Sequence, residues 1–586
     1  MTVATDHPQA LEGLTDFERR QLEKAVAQAR KDYTPATRML STPFASPGYH
    51  TTYKGPTVHE TRQSLKFAVA LLDTGSPDDL KIAIDILGKV ISLQDQDPSS
   101  ETYGIWPWFL EESIQEMDPP DWNWADFCGA QLLEAHLTHA DRLPEELLQQ
   151  MDRAILNAAR SIKKRDVPLG YTNIVIMGSF VCLLAGELLN DNELTEFASD
   201  RIQRFHDYTF ELGTFSEYNS PPYTNVALNE LRRLRRFVEA PELGALIDNL
   251  YELAWQEIAL YFHPQTGQWS GPHSRCYETL LTPQIEGSIQ RALGREDPNE
   301  VPTLDQHRLS HKCPEKLRHY FDANASIASK PRTLTKAFAK GSKNIIGTTY
   351  QHPEFSLGSV NYSDLNNQRR SLLAYWGKPG QVRSLRLRFL HDGYDFTAMQ
   401  FYCAQQEGNI LAALGLATDG GDRHPYFDRL TNGQFKADDL RLRFEVEGIE
   451  PKQIEVVELD SAKGFGRFKF DGLHFALNTI EATFGEYMGH LETSEGNNKF
   501  YIDLVFYSGP RRAFTFGDQA TASASSKQVS IAFTASIASE TPGTSPMEGK
   551  QTSLSPVYTK YSWKEMEVVA PTTPAPLETM TQDPKF

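Results

Sequence analysis

Residues 143–162, LPEELLQQMDRAILNAARSI, followed after the Pro168-Leu169-Gly170 turn by residues 173–189, NIVIMGSFVCLLAGELL, decide the reading of the first half of the chain. Both segments keep apolar residues at a period near 3.6, and the proline-glycine break between them makes the pair a helical hairpin. The same period runs through residues 64–73, 80–93, 124–140, 194–210 and 243–262. Helix pairs therefore recur every ~45 to 50 residues, the spacing of stacked helical arrays and toroids. With a further helix around residues 14–31, the count approaches the five or six hairpins, roughly, of an α/α toroid.

Beyond about residue 320 the texture changes to short alternating segments: residues 344–351, 355–362, 371–377, 384–391, 397–406, 409–418, 440–448, 466–480, 499–508 and 529–537. Turn signals such as GKPG and ATDGGD separate them, which predicts an antiparallel sandwich. The expected fold class is thus a multidomain α+β chain, an N-terminal α/α toroid followed by an antiparallel β-sandwich. The expected divisions are 1–58 (a helix and an extended segment), 59–300 (the toroid), 301–330 (a linker), 331–564 (the sandwich) and 565–586 (a disordered tail).

The 586 residues carry 40% hydrophobic and 23% charged residues, a globular composition. No apolar run is expected to be long enough to span a bilayer, so no membrane partner is expected. The first residues place Asp6 and Glu12 where a secretory signal would be cationic and then apolar. Cytoplasmic residence is the default expectation, with secretion if the chain is a processed form. The five cysteines stand far apart without a CxxC, which disfavours a disulfide framework or a thiolate zinc site. A net charge of −19 disfavours nucleic acid and anionic membrane, although local positive charge at Arg232, Arg233, Arg235 and Arg236, and again at Arg369, Arg370, Arg383, Arg386 and Arg388, leaves room for an acidic sugar. Helical spacing predicts a solvated face for the first four arginines. A homo-oligomer is compatible with everything in the sequence.

The chemistry concentrates in loops between helices. Residues 214–225, TFSEYNSPPYTN, break at Pro221-Pro222 and resume a helix near Tyr223. They expose Glu217, Tyr218, Asn219, Tyr223 and Asn225, a carboxylate, two phenols and two amides that suit sugar binding and proton transfer. A plain capping loop needs only one hydroxyl. Trp106, Trp108, Trp122 and Trp124 are half of the eight tryptophans and sit in a proline-broken stretch beside Glu111, Glu112, Asp121 and Asp126. Indoles stack on the C–H faces of sugars, and the alternative is that these rings plug the helical core. Tyr171-Thr172-Asn173 opens another helix, with Asn173 read first as a cap. The loop Gln268 to Glu278 gathers His273, Arg275 and Tyr277, a base, an anion fork and a phenol. His391 ends a strand of alternating arginines, Arg386 and Arg388, whose alternation predicts a solvent face. His307 and His311 have i, i+4 spacing, but no Glu follows the first, so no metal is expected. No G-x-G-x-x-G, P-loop or G-x-S-x-G occurs, and no cofactor is expected.

An α/α toroid followed by an antiparallel sandwich resembles the heparinase II/III-like and chondroitinase-like polysaccharide lyases. The FSEYNSPPYTN and GPHSR loops, residues 215–225 and 271–275, are similar to those of a fungal and bacterial group near them. The resemblance implies β-elimination on a uronate-containing oligosaccharide or polysaccharide. Asn173 or Glu217 would neutralise the uronate carboxylate, His273 or Tyr218 would remove the C5 proton, Tyr223 or Tyr277 would protonate the leaving oxygen, and Arg275 would grip a carboxylate. Trp106, Trp108, Trp122, Trp124, Asn219, Asn225, Asp126 and His391 would contact substrate. Two other readings stay open: a glycoside hydrolase pairing Glu217 with Glu111, Glu112 or Asp126, and a noncatalytic carbohydrate-binding protein.

Overall fold

The computed structural model describes residues 14–46, 48, 50–296, 300–309, 311–339, 344–421, 430–516, 528–540 and 547–580. The readings of residues 1–13 as lacking a leader and of 581–586 as tail lie outside the described residues. The chain divides into two units. One takes residues up to Glu211 together with Tyr223–Trp255 and Thr282–Pro314; the other takes Leu212–Pro222, Gln256–Leu281 and Glu315 onward.

The helical unit is built from α1 (Asp16–Ala29), α2 (Thr61–Asp73), α3 (Pro77–Ile91), α4 (Asn123–His139), α5 (Glu145–Arg165), α6 (Thr172–Leu189), α7 (Asn192–Leu212), α8 (Pro221–Phe237), α9 (Pro241–Tyr261) and α10 (Pro283–Ala292), of which α7, α8 and α9 run across the division. Sequence sets the helix starts. Thr15 accepts from Glu18 N while the Glu18 carboxylate accepts from Thr15 N, a capping box that opens α1. Ser76 caps α3 ahead of Pro77, and Thr282 caps α10 ahead of Pro283. The extended segment before α2 forms three short antiparallel strands, Tyr33–Thr34, Met39–Pro43 and Thr57–His59.

Hairpin packing follows chain order, with α2 on α3, α4 on α5 and α5 on α6, while α4 also packs on α2 and α6. α6 is apolar on every side and buried continuously from Thr172 to Gly186. Among the described residues it is long and apolar enough to cross a membrane by length and composition, with 83% of that stretch buried inside the protein. The expectation that no apolar run reaches spanning length is therefore corrected. A helix surrounded by α4 and α5 has no face left for water, so it carries no polar stripe.

In the second unit, a nine-stranded antiparallel sheet runs in the order His490–Gly496, Lys499–Thr515, Gln434–Glu447, Gln381–His391, Leu372–Lys378, Phe355–Val360, Ile345–His352 and Arg332–Ala339, with Tyr394–Asp395 beside Gln381–His391. An eight-stranded sheet is ordered Ile454–Asp460, Phe465–Phe470, Leu473–Phe484, Val529–Ala538, Asn409–Leu416, Met399–Gln406 and Tyr362–Asp364, with Tyr487–Met488 beside Leu473–Phe484. Alternate residues of both sheets meet in one core rich in phenylalanine, including Phe389, Phe401, Phe444, Phe468, Phe475 and Phe533. Every strand expected from alternation is present.

The expected divisions shift: residues 212–222 and 256–281, read as toroid, belong to the sandwich-bearing unit. Residues 300–314 are not a linker but part of the helical unit, with His307, Arg308, Leu309, His311 and Cys313 buried. Their polarity, which suggests a loop, is absorbed by ion pairs inside the unit. The expected tail begins instead with the strand Met566–Pro571, which closes a three-stranded sheet with Lys550–Ser555 and Tyr558–Trp563. Met566, Val568 and Ala570 point inward on alternate positions and pack with Tyr402, Leu411 and Trp563. A short run of alternating apolar residues suffices when a partner strand is already in place.

Candidate functional site

The two clusters that carry chemistry lie in different units. In the helical unit, the entries of α4 and α6 are tied together. Asn123 Nδ2 donates to the Tyr171 hydroxyl at 3.1 Å, and Arg165 donates to Asn123 Oδ1 at 2.7 Å. Asp121 fixes the turn, accepting from Asn123 N at 3.0 Å and from Trp108 Nε1 at 3.2 Å. Trp108 and Trp124 stack with centroids 4.8 Å apart and planes 23° from parallel, and Trp124 Nε1 donates to Thr61 Oγ1 at 2.9 Å. Both rings are half-buried, as is Trp122, whose Nε1 donates to Glu101 O. The result is a rigid, partly open aromatic wall bordered by amide, phenol and guanidinium groups, a composition suited to a sugar face and its hydroxyls.

Asn173 stands in the first turn of α6 and is buried, and its Oδ1 has no hydrogen-bond partner. Tyr171 occupies the N-cap position without a side-chain cap, so the capping expectation for Asn173 is corrected. Deeper along α4, Asp126 is 2% exposed with Oδ1 unpartnered. Burial raises its carboxyl to about 8, against the pull of Arg165 and Arg201. Asp126 is therefore an interior acid, neutral near pH 7, and not the surface sugar contact expected. Trp106 is likewise corrected: it is fully buried, with Nε1 donating to Val90 O at 2.9 Å, a core ring. Glu111 pairs with His59, and Glu112 accepts from Thr52 N, Thr52 Oγ1 and Tyr53 N, so both carboxylates hold the segment before α2. Tyr223 and Asn225 lie half-buried in the first turns of α8, which starts at Pro221, two residues earlier than the expected restart.

The second cluster joins residues 214–220 to residues 268–278 within the sandwich-bearing unit. Its hub is Asn219. The residue adopts a left-handed backbone, φ 44°, and its side chain donates to Ser270 O at 2.9 Å and Pro272 O at 2.7 Å while accepting from Trp269 Nε1. Every polar atom of that amide is used, so the expected substrate contact by Asn219 is corrected to a loop clamp. Tyr218 is also turned inward, stacked on Phe338 with centroids 4.0 Å apart, and burial raises its phenol to about 12. That removes it as a base near neutral pH.

His273 is buried, its Nδ1 hydrogen-bonded to Asn219 O at 2.7 Å, and burial lowers its pKa to about 3. The ring is a neutral imidazole at ordinary pH, with its proton fixed on Nδ1. Arg275 pairs with Glu217 at 2.9 Å and donates from Nε to Gln368 Oε1 at 3.1 Å. Burial pushes the Glu217 carboxyl up and Arg275 pulls it back. The Arg275 side chain is a third exposed, and solvent also reaches Tyr277, at 58%, and Glu278. The loop lies directly on the nine-stranded sheet, where a Cβ at Gly358 would sit 1.9 Å from Gly271 O. Gln368 and Arg370, which donates to Tyr277 O, belong to this cluster; Arg370 is read in the sequence as local positive charge, while Gln368 carries no signal beyond a polar turn.

His391 is corrected as well. It is buried in the sandwich against Phe396 and Phe435, with Nε2 hydrogen-bonded to Lys436 O at 2.8 Å. His307 and His311 face different partners, Asp73 for the first and Asn229 with Tyr251 for the second, so their spacing reflects packing. Arg233, expected on a solvated face, is buried between Glu134 and Glu230.

The family described as Domain of unknown function (DUF8769) matches residues 42–292. No curated protein sequence matches the chain. Among solved structures, the Streptomyces coelicolor A3 chondroitin AC lyase in complex with chondroitin sulphate is similar over 97% of this chain and 86% of its own, at 9% identity and a TM-score of 0.50. Heparinase III aligns over 98% of this chain and 94% of its own, at 10% identity and a TM-score of 0.45. The fold is thus like that of the chondroitin AC lyase, an α/α toroid followed by an antiparallel β-sandwich.

Proposed function

We propose that the protein is a carbohydrate-active enzyme that cleaves a uronate-containing glycan by β-elimination. The observation that carries the reading is Asn173, a buried amide with an unpartnered end in a helix entry bordered by stacked indoles. A buried amide without a protein partner is costly unless a ligand completes it. The proton at C5 of a uronate is too weakly acidic to be removed until the carboxylate charge is offset. Asn173, with its amide turned to donate Nδ2, would hold that carboxylate and stabilise the enolate. A base then takes the C5 proton, the C4–O bond breaks, and the departing oxygen receives a proton. Tyr223, in the first turn of α8 and in the same unit as Asn173, is assigned the proton delivery. Trp108 and Trp124 would bear a sugar ring; in the other unit, Arg275 is a partly exposed guanidinium suited to a carboxylate.

A hydrolytic reading is favoured by one observation, the neutral Asp126 carboxyl at about 8, which suits a general acid. One assay separates them. Uronate-containing and neutral oligosaccharides are incubated with the protein, and absorbance at about 235 nm is followed beside reducing ends. Elimination raises both on the acidic substrates only, and Asn173→Ala removes most of the signal. Reducing ends without absorbance would replace elimination by hydrolysis.

A further inference from the structure

A cavity of about 590 Å³ opens on the sandwich and shares no residue with the clusters above. Its volume lies within the range of small-ligand sites. One wall is an aromatic group at the turn joining Ile345–His352 to Phe355–Val360. His352 stacks on Phe355 at 4.9 Å and 25°, and Tyr350 packs edge-on to Phe355 at 5.8 Å. Phe355 and Tyr350 are buried, so His352 is the ring of this stack that solvent reaches. Glu354 N donates to His352 Nδ1 at 3.3 Å, which leaves the ring proton for Nε2, a donor.

The facing wall is Trp563 with the Lys564 ammonium 4.6 Å over its ring. Asn409 anchors that ammonium, accepting from Lys564 Nζ at 2.7 Å and from Ser536 Oγ at 3.3 Å, and its own amide donates to Gln406 O at 3.2 Å. The rim is preorganised: Glu407 and Lys564 sit at tight turns with left-handed backbones, φ 52° and 53°. The site's charged groups are Glu354, Glu407 and Glu540 against Arg467 and Lys564, a nearly balanced set with one excess negative charge.

We infer that this cavity is a noncatalytic binding groove for a neutral glycan chain. A ring platform at His352, a lysine ammonium held over indole, and fixed amide and carboxylate groups match a pyranose, which offers an apolar face and a rim of hydroxyls. The acidic excess repels a polyanion, so the occupant is a neutral stretch and not a uronate run. The groove stands on the sandwich alone and does not depend on the elimination reading.

The test is affinity electrophoresis of the full chain through gels containing hydroxyethyl cellulose, galactomannan, polygalacturonate or hyaluronan, with turnover on soluble acidic oligosaccharides measured in parallel. At least one neutral glycan retards the wild type, and His352→Ala and Lys564→Ala, both solvent-reaching side chains, weaken retention threefold or more while turnover and melting temperature stay unchanged. Retention equal in wild type and variants, retention by the acidic glycans only, or none at all overturns the groove. A wild type that is retained by a neutral glycan yet shows no turnover on the acidic oligosaccharides counts against the elimination reading and leaves the groove standing.

Discussion

The two units bury charge in opposite ways. In the helical unit, charge sits in the interior. Asp73 at the end of α2 is fully buried and takes His139 Nε2 at 2.9 Å, His307 Nε2 at 2.8 Å and the Arg308 guanidinium. Glu134, Arg233 and Glu230 continue the cluster, and Lys66 pairs with Asp305 at 2.8 Å. In the sandwich, the interior is phenylalanine, and charge forms a ladder on the outward strand face, where buried carboxylates lie under partly exposed arginines. Glu445 is held by Arg386 and Arg388, and Asp503 by Arg441 and Arg443. Arg386 stands opposite Glu445 in register, and Arg443 opposite Asp503. Strand alternation sorts side chains strictly to one face or the other, whereas a helix inside an array can turn part of its polar arc inward if partners meet it. The helical cluster also explains residues 303–309. Their polar side chains fasten that segment to α2 and α4.

The comparison predicts its largest effect at Asp73. Asp73→Asn keeps the shape but leaves two imidazoles and a guanidinium without their anion, and breaking a buried ionic group in this way costs about 3 to 5 kcal/mol. Urea unfolding followed by helix circular dichroism checks it. A loss under about 1 kcal/mol would show that the cluster is hydrated and does not hold the segment. The pH dependence has a definite sign. Arg308 and the two histidines hold the Asp73 carboxyl well below the usual carboxylate range, against desolvation, and Lys66 does the same for Asp305. Each contributes stability that is complete above the unfolded carboxylate value and is lost as pH falls below it.

Asp126 gives the next effect, with the opposite sign. Its folded carboxyl titrates at about 8, so above the unfolded value folding must keep it neutral while the unfolded chain ionises. Stability falls as pH rises from about 4 toward 8, by a few kcal/mol in order of magnitude. Asp126→Asn removes that slope, and the variant gains on the wild type between pH 5 and pH 8. Parallel unfolding curves at the two pH values, with no change in the difference, would place the proton elsewhere.

How much of this was legible differs between the units for the same reason. Period-2 alternation announced the strands, since burial there follows sequence parity. The same rule put Arg386 and Arg388 on an outer face, but nothing local could name Glu445, 57 to 59 residues away, as their partner. The 3.6 period announced the helices, yet it cannot tell a solvated arginine from Arg233, which reaches Glu134 on another helix. Loop residues were found as a set and misjudged one by one. Asn219 and Tyr218 looked exposed because prolines follow them, whereas a left-handed turn at Asn219 folds both inward. Asp121 and Tyr171 stand out in the sequence without a role and Asn123 not at all, because their value comes from the contact between two helix entries.

A smaller loss is expected at Glu445→Gln. Burial is opposed by Arg386, Arg388 and Lys499, which together bring its carboxyl down to about 2. Its arginine partners keep 16% and 19% of their side chains exposed and can turn toward water once the charge is gone. The cost is about 1 to 3 kcal/mol, below that at Asp73. Sandwich unfolding read by aromatic fluorescence measures it. A cost equal to that of Asp73→Asn would erase the distinction between interior cluster and surface ladder.

The smallest stability effect, and the one that bears most on function, belongs to Arg275. Its pair with Glu217 is 2.9 Å long, but the guanidinium is 33% exposed, so solvent screens it and Arg275→Lys shifts stability by no more than about 1 kcal/mol. Turnover is another matter if Arg275 draws a substrate carboxylate, because lysine supplies charge without the planar fork that meets a carboxylate on two bonds. The measurement is kcat/KM for wild type, Arg275→Lys and Arg275→Ala on a matched acidic and neutral oligosaccharide. A loss of tenfold or more, about 1.4 kcal/mol, confined to the acidic substrate assigns the clamp. Equal losses on both substrates would reduce Arg275 to a partner of Glu217 and Gln368 that shapes the loop, and would leave the choice between elimination and hydrolysis to Asn173 and Asp126 in the helical unit.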